Sequence, residues 1–344
     1  MVHIDTGTEF RGGQQALLTL ARGLRERKHS QLIMTPAGSE LEMRANTIEL
    51  ATAPLSLAEL RARIQGTDIL HTHTGRAQNM AFLVSAGIPI KRIATRHVAF
   101  QPRHPLIHRL KYTATCDGVI AVSQAVRRTL LNAGVSAERI EVIPTGVEIP
   151  AELPTPEQRA QARRRWNFID EDFAVGHLGA FTREKGQDVA AKAARLLESR
   201  LPHLKMILAG EGPLRSGMPS IPQLQLPGHV SEPQQLLAAL DLFIMPSRSE
   251  GWGLAALEAM AFGLAVVASN TGGLAEMIVE GETGWLIPPA DASALADAIL
   301  AAAADREKLH RMGLCARDSA RRFSIEETAA RTEEFYLRVL GRRQ

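Results

Sequence analysis

Apolar and polar positions follow a repeated rhythm in this chain, in which short apolar runs alternate with longer stretches of helical spacing. In the first half, the runs SQLIMT, TDILHTH, GVIAVS and RIEVIPTG are separated by helical patterns such as AQNMAFLVSAG and QAVRRTLLNAG. The second half repeats this rhythm with FAVGHLGAF, KMILAG, QLQLPG, DLFIMPS and LAVVAS. The alternation is typical of βαβ units, which build parallel sheets and bind ligands at the carboxyl ends of their strands.

A proline-rich stretch, PTGVEIPAELPTPEQ, separates the two halves. Four prolines in so short a span (Pro144, Pro150, Pro154 and Pro156) indicate a linker rather than a helix or strand. A chain of 344 residues also suits two domains better than one core. We therefore predict an N-terminal domain over residues 1–150 and a second domain over residues 151–324, with the active site in the cleft between them. The first strand, VHID, is short, which predicts either a weak edge for the first sheet or a misassigned start.

Composition places the chain among soluble globular proteins, with 45% hydrophobic and 22% charged residues. It has no apolar run of 18 residues, and its start, MVHIDTGTEFRGG, lacks the basic and apolar regions of a signal peptide. Cys116 and Cys315 have no metal-ligand spacing, so we expect buried thiols in a reducing compartment. These features predict a cytoplasmic protein.

Charge is unevenly distributed, because residues 91–130 hold eight basic residues against Asp117 alone, a net charge of +7 in a chain of +3. Such a segment suits an anionic membrane surface or an anionic acceptor, although a solvated face without a partner remains an alternative. Nucleic acid is not expected, because aromatic residues make up only 4% of the chain and no recognition helix is evident. The basic residues are Lys91, Arg92, Arg96, Arg103, Arg109, Lys111, Arg127 and Arg128.

The segment PSRSEGWGLAALEAMAFG, residues 246–263, carries the clearest chemical signal. It places Glu250 in a glycine-rich turn and Glu258 within a helix that is apolar on all sides. A buried carboxylate costs several kcal/mol unless it is paired. Gly251 and Gly253 allow close backbone approach, and a helix beginning near Leu254 would aim free N–H groups at a phosphate. The alternative is a helix cap whose glutamate pairs with a structural arginine.

This segment also resembles a known signature. The order E-G-W-G-L-x-x-x-E-A-M-A, followed by LAVVASNTGGLAEMIVEGETGWLIPP, resembles the donor-sugar motif of family 4 retaining glycosyltransferases. The resemblance continues through FRGGQ, TRH, IAVS, VIPTGVE, GAFTREKG, LAGEGP and RFSIEETAARTEEFY, and so covers nearly the whole chain. It implies the α/β GT-B fold, in which two Rossmann-like domains with parallel sheets face a central cleft. It also implies that a last helix, within residues 325–344, crosses back to the N-terminal domain.

The resemblance implies roles for the residues that match the family's motifs. Glu258 would bind the ribose hydroxyls and Glu250 the hydroxyls of the donor sugar. Main-chain groups would contact the base from Gly228, His229 and Val230, and the phosphates from Gly251, Trp252, Gly253 and Leu254.

Two cations and one histidine complete the expected site. Lys185, in GAFTREKG, would neutralise the departing diphosphate. The family often has arginine at the position of Ala180, and we expect Arg183 to replace it. On the other domain, Gly12 and Gly13 precede the helix QQALLTLARGL and could hold phosphates or the transition state. His97 matches the family's cleft histidine, which meets the sugar at its reaction centre. Solvated-loop or structural roles are the alternatives.

No metal or other cofactor is expected. His71 and His73 share one side of a strand, but no third ligand has suitable spacing nearby in the sequence. The triplet Asp170–Glu171–Asp172 precedes a strand, where a polar turn is expected, whereas a metal clamp should follow one. We therefore expect metal-independent transfer, with Arg103, His104, His108, Arg109 and Lys111 bordering the acceptor side and Pro102 and Pro105 marking a loop.

The expected function is transfer of a sugar, with retention, from a nucleoside diphosphate sugar to a hydroxyl acceptor. The basic segment favours a cell-envelope glycolipid or lipopolysaccharide core and peripheral contact with the inner face of the cytoplasmic membrane. One alternative is a sugar-nucleotide epimerase or glycosyl phosphorylase on the same fold, which product analysis would separate. The other is a catalytically silent sugar-nucleotide-binding protein.

Overall fold

The structure is a computed structural model that describes residues 1–99 and 105–341, with the backbone alone for residues 105–108. The chain forms two compact units. Unit 1 comprises Met1–Gly146 and Phe323–Gln344, and unit 2 comprises Val147–Arg322. The divisions expected from the sequence, after residues 150 and 324, lie a few residues beyond these boundaries. No helix in the described ranges is long and apolar enough to cross a membrane.

Unit 1 alternates strands and helices through its first segment. Its strands are β1 (Val2–Ile4), β2 (Leu32–Thr35), β3 (Thr52–Pro54), β4 (Ile69–Thr72), β5 (Lys91–Arg96), β6 (Gly118–Ala121) and β7 (Ile140–Val142). Its helices are α1 (Gly12–Glu26), α2 (Glu40–Thr47), α3 (Leu57–Arg63), α4 (Gly75–Val84), α5 (Pro105–Thr115) and α6 (Gln124–Asn132). The strands form one parallel sheet in the order β3-β2-β1-β4-β5-β6-β7.

The first strand is short, as the sequence indicated, but it is not a sheet edge. β1 lies in the interior of the sheet, where His3 pairs with Ile33 on one side and with His71 on the other. Because both neighbours bond to it, three residues are enough to hold β1 in place. The prediction of a weak edge was therefore wrong.

Unit 2 repeats the architecture with six strands. These are β8 (Phe173–Leu178), β9 (Leu204–Ala209), β10 (Leu224–Gly228), β11 (Leu242–Met245), β12 (Val266–Ser269) and β13 (Gly284–Ile287). Its helices are α7 (Pro156–Arg165), α8 (Gln187–Leu197), α9 (Pro233–Ala239), α10 (Leu254–Ala261), α11 (Leu274–Met277), α12 (Ala292–Ala304) and α13 (Arg306–Ala320). All strands are parallel, in the order β10-β9-β8-β11-β12-β13. Strands such as LFIM are buried along their whole length, because helices cover both faces of the sheet.

The last helix, α14 (Ile325–Val339), belongs to unit 1. Two glycines allow it to pack closely. A Cβ at Gly23 of α1 would stand 2.8 Å from the Cβ of Ala329, and one at Gly118 would stand 2.7 Å from Phe335. Phe335 and Tyr336 join the core of unit 1. The two units are thus Rossmann-like α/β domains, and the α/β class expected from the sequence is confirmed.

Several local predictions need correction. Pro156 is the first residue of α7, and Pro105 is the first residue of α5, so neither lies in a loop. Both helix starts are favoured because proline lacks the backbone N–H, which is not needed in the first turn of a helix. Gly12 and Gly13 are the first residues of α1 rather than a loop before it. Cys116 is buried as expected, but Cys315 is exposed.

Candidate functional site

The order in which strands are added to the sheet of unit 2 reverses between β8 and β11. From β8 the chain builds outward to β9 and β10, and it then returns to place β11 on the other side of β8. In open parallel sheets, ligands bind at the carboxyl ends of the strands beside such a switch point. The loop after β8 contains Arg183 and Lys185, and the loop after β11 contains Glu250. The residues singled out from the sequence therefore flank this point.

These two loops are joined by an ion pair. Lys185 Nζ lies 2.7 Å from Glu250 Oε2, and Ser247 Oγ lies 3.4 Å from the same oxygen. The two side chains are 27% and 11% exposed, so the pair is largely sheltered but still reachable from solvent. Gly186 makes this approach possible, because a Cβ there would stand 2.0 Å from the carbonyl oxygen of Pro246. A cation and a carboxylate thus converge at the switch point.

The start of α10 leaves backbone amides free for a ligand. Its N-cap is Gly253, in a left-handed conformation with φ of 99°, and no side chain caps the helix. A Cβ at Gly253 would stand 2.5 Å from Leu274, which adds a steric reason for glycine. Trp252 is 5% exposed and anchors the turn in the core. The uncapped N–H groups and the helix dipole make this turn suitable for an anion.

A second pair of glycines, Gly272 and Gly273, packs against the turn that precedes α10. A Cβ at Gly272 would lie 1.7 Å from the carbonyl oxygen of Glu250, and one at Gly273 would lie 2.6 Å from Trp252 Cα. The backbone of residues 250–252 therefore packs directly on the loop after β12. The sequence contains this support as TGG within the resembling segment, but we did not single out the two glycines.

Arg248 stabilises the turn that contains Lys185, a role that was not predicted from the sequence. Its guanidinium donates to both carboxylate oxygens of Asp188, each at 2.7 Å, and to the carbonyl oxygen of Arg183 at 2.9 Å. Its backbone N–H donates to the carbonyl oxygen of Glu184. These hydrogen bonds hold the pKa of Asp188 below its usual value. The bidentate geometry fixes the turn Arg183–Lys185 against the loop after β11.

Glu258 lies on α10, where Ala256, Leu257 and Ala259 are fully buried. It retains some exposure, and no described residue forms a hydrogen bond or ion pair with its carboxylate. Burial raises the pKa of Glu258 to about 7. The structural arginine of the alternative interpretation is therefore absent for Glu258 within the described ranges, and the carboxylate remains available to a ligand.

The remaining residues expected on the donor side differ in their surroundings. Arg183 is exposed; among the described residues its guanidinium forms no hydrogen bond or close ion pair, and its charge adds to the hydrogen bonds that lower the pKa of Glu184. Gly228 ends β10 with φ of 82°, and a Cβ there would stand 2.4 Å from Glu211 Oε1. His229 is exposed and Val230 is half-buried. The expected replacement of an arginine at Ala180 by Arg183 stays a prediction.

In unit 1 the expected residues Gly12, Gly13 and His97 come together. A Cβ at Gly13 would stand 3.8 Å from His97 Cδ2, and one at Gly12 would meet nothing within 4 Å. The N-terminus of α1 therefore faces open space beside the histidine. Burial lowers the pKa of His97 to about 4, so its ring is neutral at pH 7, and its buried Nε2 has no hydrogen-bond partner among the described residues.

Asp5, which the sequence reasoning also missed, orders the loop before α1. It is fully buried, and its Oδ1 accepts hydrogen bonds from the Gly7 N–H at 2.7 Å and from Gln14 Nε2 at 2.9 Å. Gln14 Oε1 in turn accepts from the Arg11 N–H, the N-cap of α1. The only sequence signal is an aspartate directly after a buried strand.

His71 and His73 have a third histidine beside them in the fold. No third ligand lies near them along the chain, but β1 places His3 beside them in space. One ring nitrogen from each of the three histidines lies within 4.8 Å of the other two. The triplet Asp170–Glu171–Asp172 is a turn before β8, as expected, with the Asp172 carboxylate accepting from the Ile169 N–H.

The basic segment is less uniformly exposed than its charge indicated. Arg96 is buried and donates to the carbonyl oxygen of Val98, and Lys91 and Arg92 lie near Asp117. Lys111 donates to the carbonyl oxygen of Gly75, and burial lowers its pKa. Arg109 and Arg128 are exposed. Pro102, Arg103 and His104 lie outside the described residues, as does the side chain of His108.

Comparison with known proteins agrees with this architecture. The family described as Glycosyltransferase Family 4 matches residues 10–149, and the family described as Glycosyl transferases group 1 matches residues 158–319. A solved structure of Anabaena Alr3699/HepE in complex with UDP and glucose superimposes with a TM-score of 0.88 at 22% identity, over 97% of this chain and 98% of that one. The fold is thus the GT-B type of glycosyltransferases.

Two relatives are similar over most of the chain. The D-inositol 3-phosphate glycosyltransferase of Nocardia farcinica is 30% identical over 79% of this chain and 67% of its own length. The GDP-mannose-dependent alpha-(1-6)-phosphatidylinositol monomannoside mannosyltransferase of Mycolicibacterium smegmatis is 28% identical over 78% of this chain and 69% of its own. The chain belongs to glycosyltransferase family 4.

Proposed function

We propose that this protein transfers a sugar, with retention of anomeric configuration, from a nucleoside diphosphate sugar to a hydroxyl acceptor. The observation that carries the proposal is the contact of Lys185 with Glu250 at the switch point of unit 2, in the loop that leads into the uncapped start of α10. A cation and free amides suit a diphosphate, and a carboxylate suits the hydroxyls of a sugar. The mycobacterial relative is named as GDP-mannose-dependent, which supports this class of donor.

The donor's parts are assigned to separate residues of unit 2. Glu258 accepts hydrogen bonds from the ribose hydroxyls, for which its unpartnered carboxylate is suited. The amides of Gly251, Trp252, Gly253 and Leu254 bind the phosphates. The base lies against the main chain of Gly228, His229 and Val230. When the donor binds, Lys185 contacts the diphosphate and Glu250 contacts the sugar, in place of their mutual ion pair.

The chemical step needs positive charge at the leaving group. The bond between the anomeric carbon and the phosphate oxygen breaks, and the acceptor oxygen bonds to the same face of that carbon. The acceptor's proton passes to the leaving phosphate. Lys185, with Arg183 and the α10 amides, stabilises the charge that develops on the diphosphate. These groups perform the role that a divalent cation has in other transferases, so we propose that transfer needs no metal ion.

Unit 1 supplies His97 and the N-terminus of α1. Because burial holds the His97 ring neutral, it can donate one hydrogen bond to the sugar near its reaction centre without adding charge. A Cβ at Gly12 would meet no described atom within 4 Å, so the first residue of α1 leaves its side open to the transferred group.

We propose a cell-envelope glycolipid, such as a lipopolysaccharide core, as the acceptor. On α5, the exposed Arg109 stands next to Leu110, which is 67% exposed. A cation beside an apolar side chain suits the surface of an anionic membrane. The mycobacterial relative is named for a phosphatidylinositol mannoside, which is itself a glycolipid. The protein would then work in the cytoplasm, in peripheral contact with the inner face of the membrane.

A thermal-shift screen with UDP, GDP, ADP and CMP sugars tests donor binding. A ligand at 100 times its dissociation constant stabilises the protein by about 2.7 kcal/mol, which is readily measured. Product analysis with the stabilising donor and a glycolipid extract then separates the alternatives. Glycoside formation supports transfer, whereas an epimerised donor or a sugar phosphate indicates an epimerase or phosphorylase. Donor binding without turnover indicates a silent binding protein.

A further inference from the structure

Three histidines meet in the interior of unit 1, beside His97, whose ring stacks on that of His73 with the centroids 6.2 Å apart. His3 and His71 are paired residues of the neighbouring strands β1 and β4, and His73 follows on the same face as His71. His3 and His71 are fully buried and His73 is 6% exposed. The ring centroids of His71 and His73 are 4.2 Å apart, and His3 lies 5.5 Å and 5.4 Å from them. We propose that His3, His71 and His73 bind one transition-metal ion of the zinc class.

The spacing of the ring nitrogens fits this kind of ion. Zinc binds histidine nitrogens at about 2.0–2.1 Å in tetrahedral geometry, which puts two such nitrogens about 3.3 Å apart. His3 Nδ1 and His73 Nε2 are 3.2 Å apart. A nitrogen of His71 lies within 4.8 Å of one nitrogen of each of the other two rings, so a modest ring movement completes a three-histidine set.

The tautomer of His3 is set by its surroundings. Gln31 donates its amide Nε2 to the carbonyl oxygen of Ala21 at 2.7 Å, which leaves its Oε1 facing His3 Nε2 at 3.1 Å. An amide oxygen only accepts hydrogen bonds, so His3 Nε2 bears the proton and Nδ1 presents its lone pair to the cluster. Metal-binding histidines are commonly held in this way by a second partner on the other nitrogen.

His71 has the same kind of support. Its Nδ1 lies 2.6 Å from the Tyr336 hydroxyl of α14, and its Nε2 lies 2.7 Å from Thr95 Oγ1 on β5. A hydroxyl group can donate or accept, so either nitrogen can turn to a metal while the other keeps its partner.

The local charge also suits a cation. Asp5 follows directly after β1, two residues beyond His3, and its buried Oδ2 has no hydrogen-bond partner among the described residues. Its carboxylate would offset part of the cation's charge.

A hydrogen-bonded cluster without metal is the rival explanation. It accounts for the contact between His3 and His73, but it leaves His73 Nδ1 buried and unpartnered and gives His71 no bond within the cluster. A bound ion would join β1 to β4 and, through Tyr336, to α14. An open cavity of about 400 Å³, lined in part by Gln31 and Tyr336, gives a route from solvent to the cluster's supporting residues.

Metal analysis of tag-free, full-length protein tests the proposal. We expect about one equivalent of zinc by mass spectrometry after purification, or after loading and gel filtration. Cobalt added to chelator-treated protein should give the visible bands of tetrahedral Co²⁺, and X-ray absorption should report three imidazole ligands. His3→Gln and His73→Gln should abolish stoichiometric binding. Gln31→Ala, which removes only the support of His3, should weaken it by about 10- to 100-fold.

The exposed His203 and His310 provide matched controls, since His203→Gln and His310→Gln should bind metal as the wild type does. If the core variants fail to fold, the cobalt spectrum and ligand count of the wild type still decide. Absence of stoichiometric metal and of cobalt bands in the folded wild type would overturn the proposal. So would full binding by the folded His3→Gln, His73→Gln double variant. These readouts measure bound metal rather than turnover, so they do not depend on the proposed transfer reaction.

Discussion

Replacing Glu258 by glutamine should make the protein more stable and its donor binding weaker at the same time. The substitution keeps the size of the side chain and removes its charge. Burial raises the pKa of this carboxyl from 4.5 to about 7, which corresponds to about 3 kcal/mol of differential interaction between its two protonation states. The wild type bears this cost whenever Glu258 is ionised and no donor is bound, whereas the glutamine variant does not.

The pH dependence gives the sign of the effect. Between pH 4.5 and pH 7 the carboxyl is ionised in the unfolded chain but still protonated in the native state. The unfolded state then binds fewer protons, so the free energy of unfolding falls as pH rises through this window. Glu258→Gln should match the wild type near pH 5 and exceed it by up to about 3 kcal/mol at pH 8. Urea unfolding at a series of pH values measures this difference.

Donor binding should strengthen as pH rises, whereas the free energy of unfolding of the free protein falls. Ribose hydroxyls donate to the ionised carboxylate, so the wild type should bind the donor about tenfold more tightly at pH 8 than at pH 6. Glu258→Gln should lose this dependence and bind about 10- to 150-fold more weakly at pH 8, since a hydrogen bond to a charged group contributes about 1.5–3 kcal/mol. Turnover of bound donor should change less. Calorimetry with the identified donor measures the dissociation constants.

The exposed Glu282 of the same unit provides the control. Glu282→Gln should change neither the pH dependence of the free energy of unfolding nor that of the donor dissociation constant. The reasoning fails if Glu258→Gln leaves the donor dissociation constant unchanged at pH 8. It also fails if the variant is less stable than the wild type at that pH.

The remaining predictions concern the leaving group, the metal requirement and the basic helix. Lys185→Ala should lower turnover by about 10²-fold, because it removes charge beside the diphosphate. Lys192→Ala, on the exposed side of α8, should leave turnover unchanged. Near-normal turnover of Lys185→Ala would mean that Arg183 and the α10 amides suffice. Turnover should survive EDTA, and a loss restored by Mg²⁺ or Mn²⁺ would contradict transfer without a metal. Reversing Arg103, Arg109 and Lys111 to glutamate should abolish binding to anionic vesicles at low salt and raise the acceptor KM, with donor binding unchanged. If the wild type does not bind such vesicles and the triple variant uses acceptor normally, the basic face is only a solvated surface.

Much of the architecture could be predicted because it depends on local pattern. Buried parallel strands need continuous apolar runs, and these alternate with helical spacing from SQLIMT to LAVVAS. The start of α10 near Leu254 followed from Gly251 and Gly253 in the same way. The position of β1 did not follow, because strand order depends on pairing between residues distant in sequence, such as His3 with His71.

The same limit applies to the candidate site. Glu250 and Lys185 were found from their motifs, but their contact is a property of two loops 65 residues apart. Arg248 acts through bonds to Asp188 and to the backbone of Arg183, about 60 residues away, and nothing in its local sequence distinguishes it from a surface arginine. Asp5 acts through bonds to Gly7 and Gln14, and its position directly after a buried strand is its only sequence signal. His3 was missed as a third ligand because it is distant in sequence from His71 and His73.

The most direct test of the central claim is proton NMR of the product formed from the stabilising nucleoside diphosphate sugar and a hydroxyl acceptor. The account predicts equimolar release of the nucleoside diphosphate and a glycoside with the anomeric configuration of the donor, and loss of both products in Lys185→Ala. A glycoside of inverted configuration, or consumption of donor without any glycoside, would contradict it.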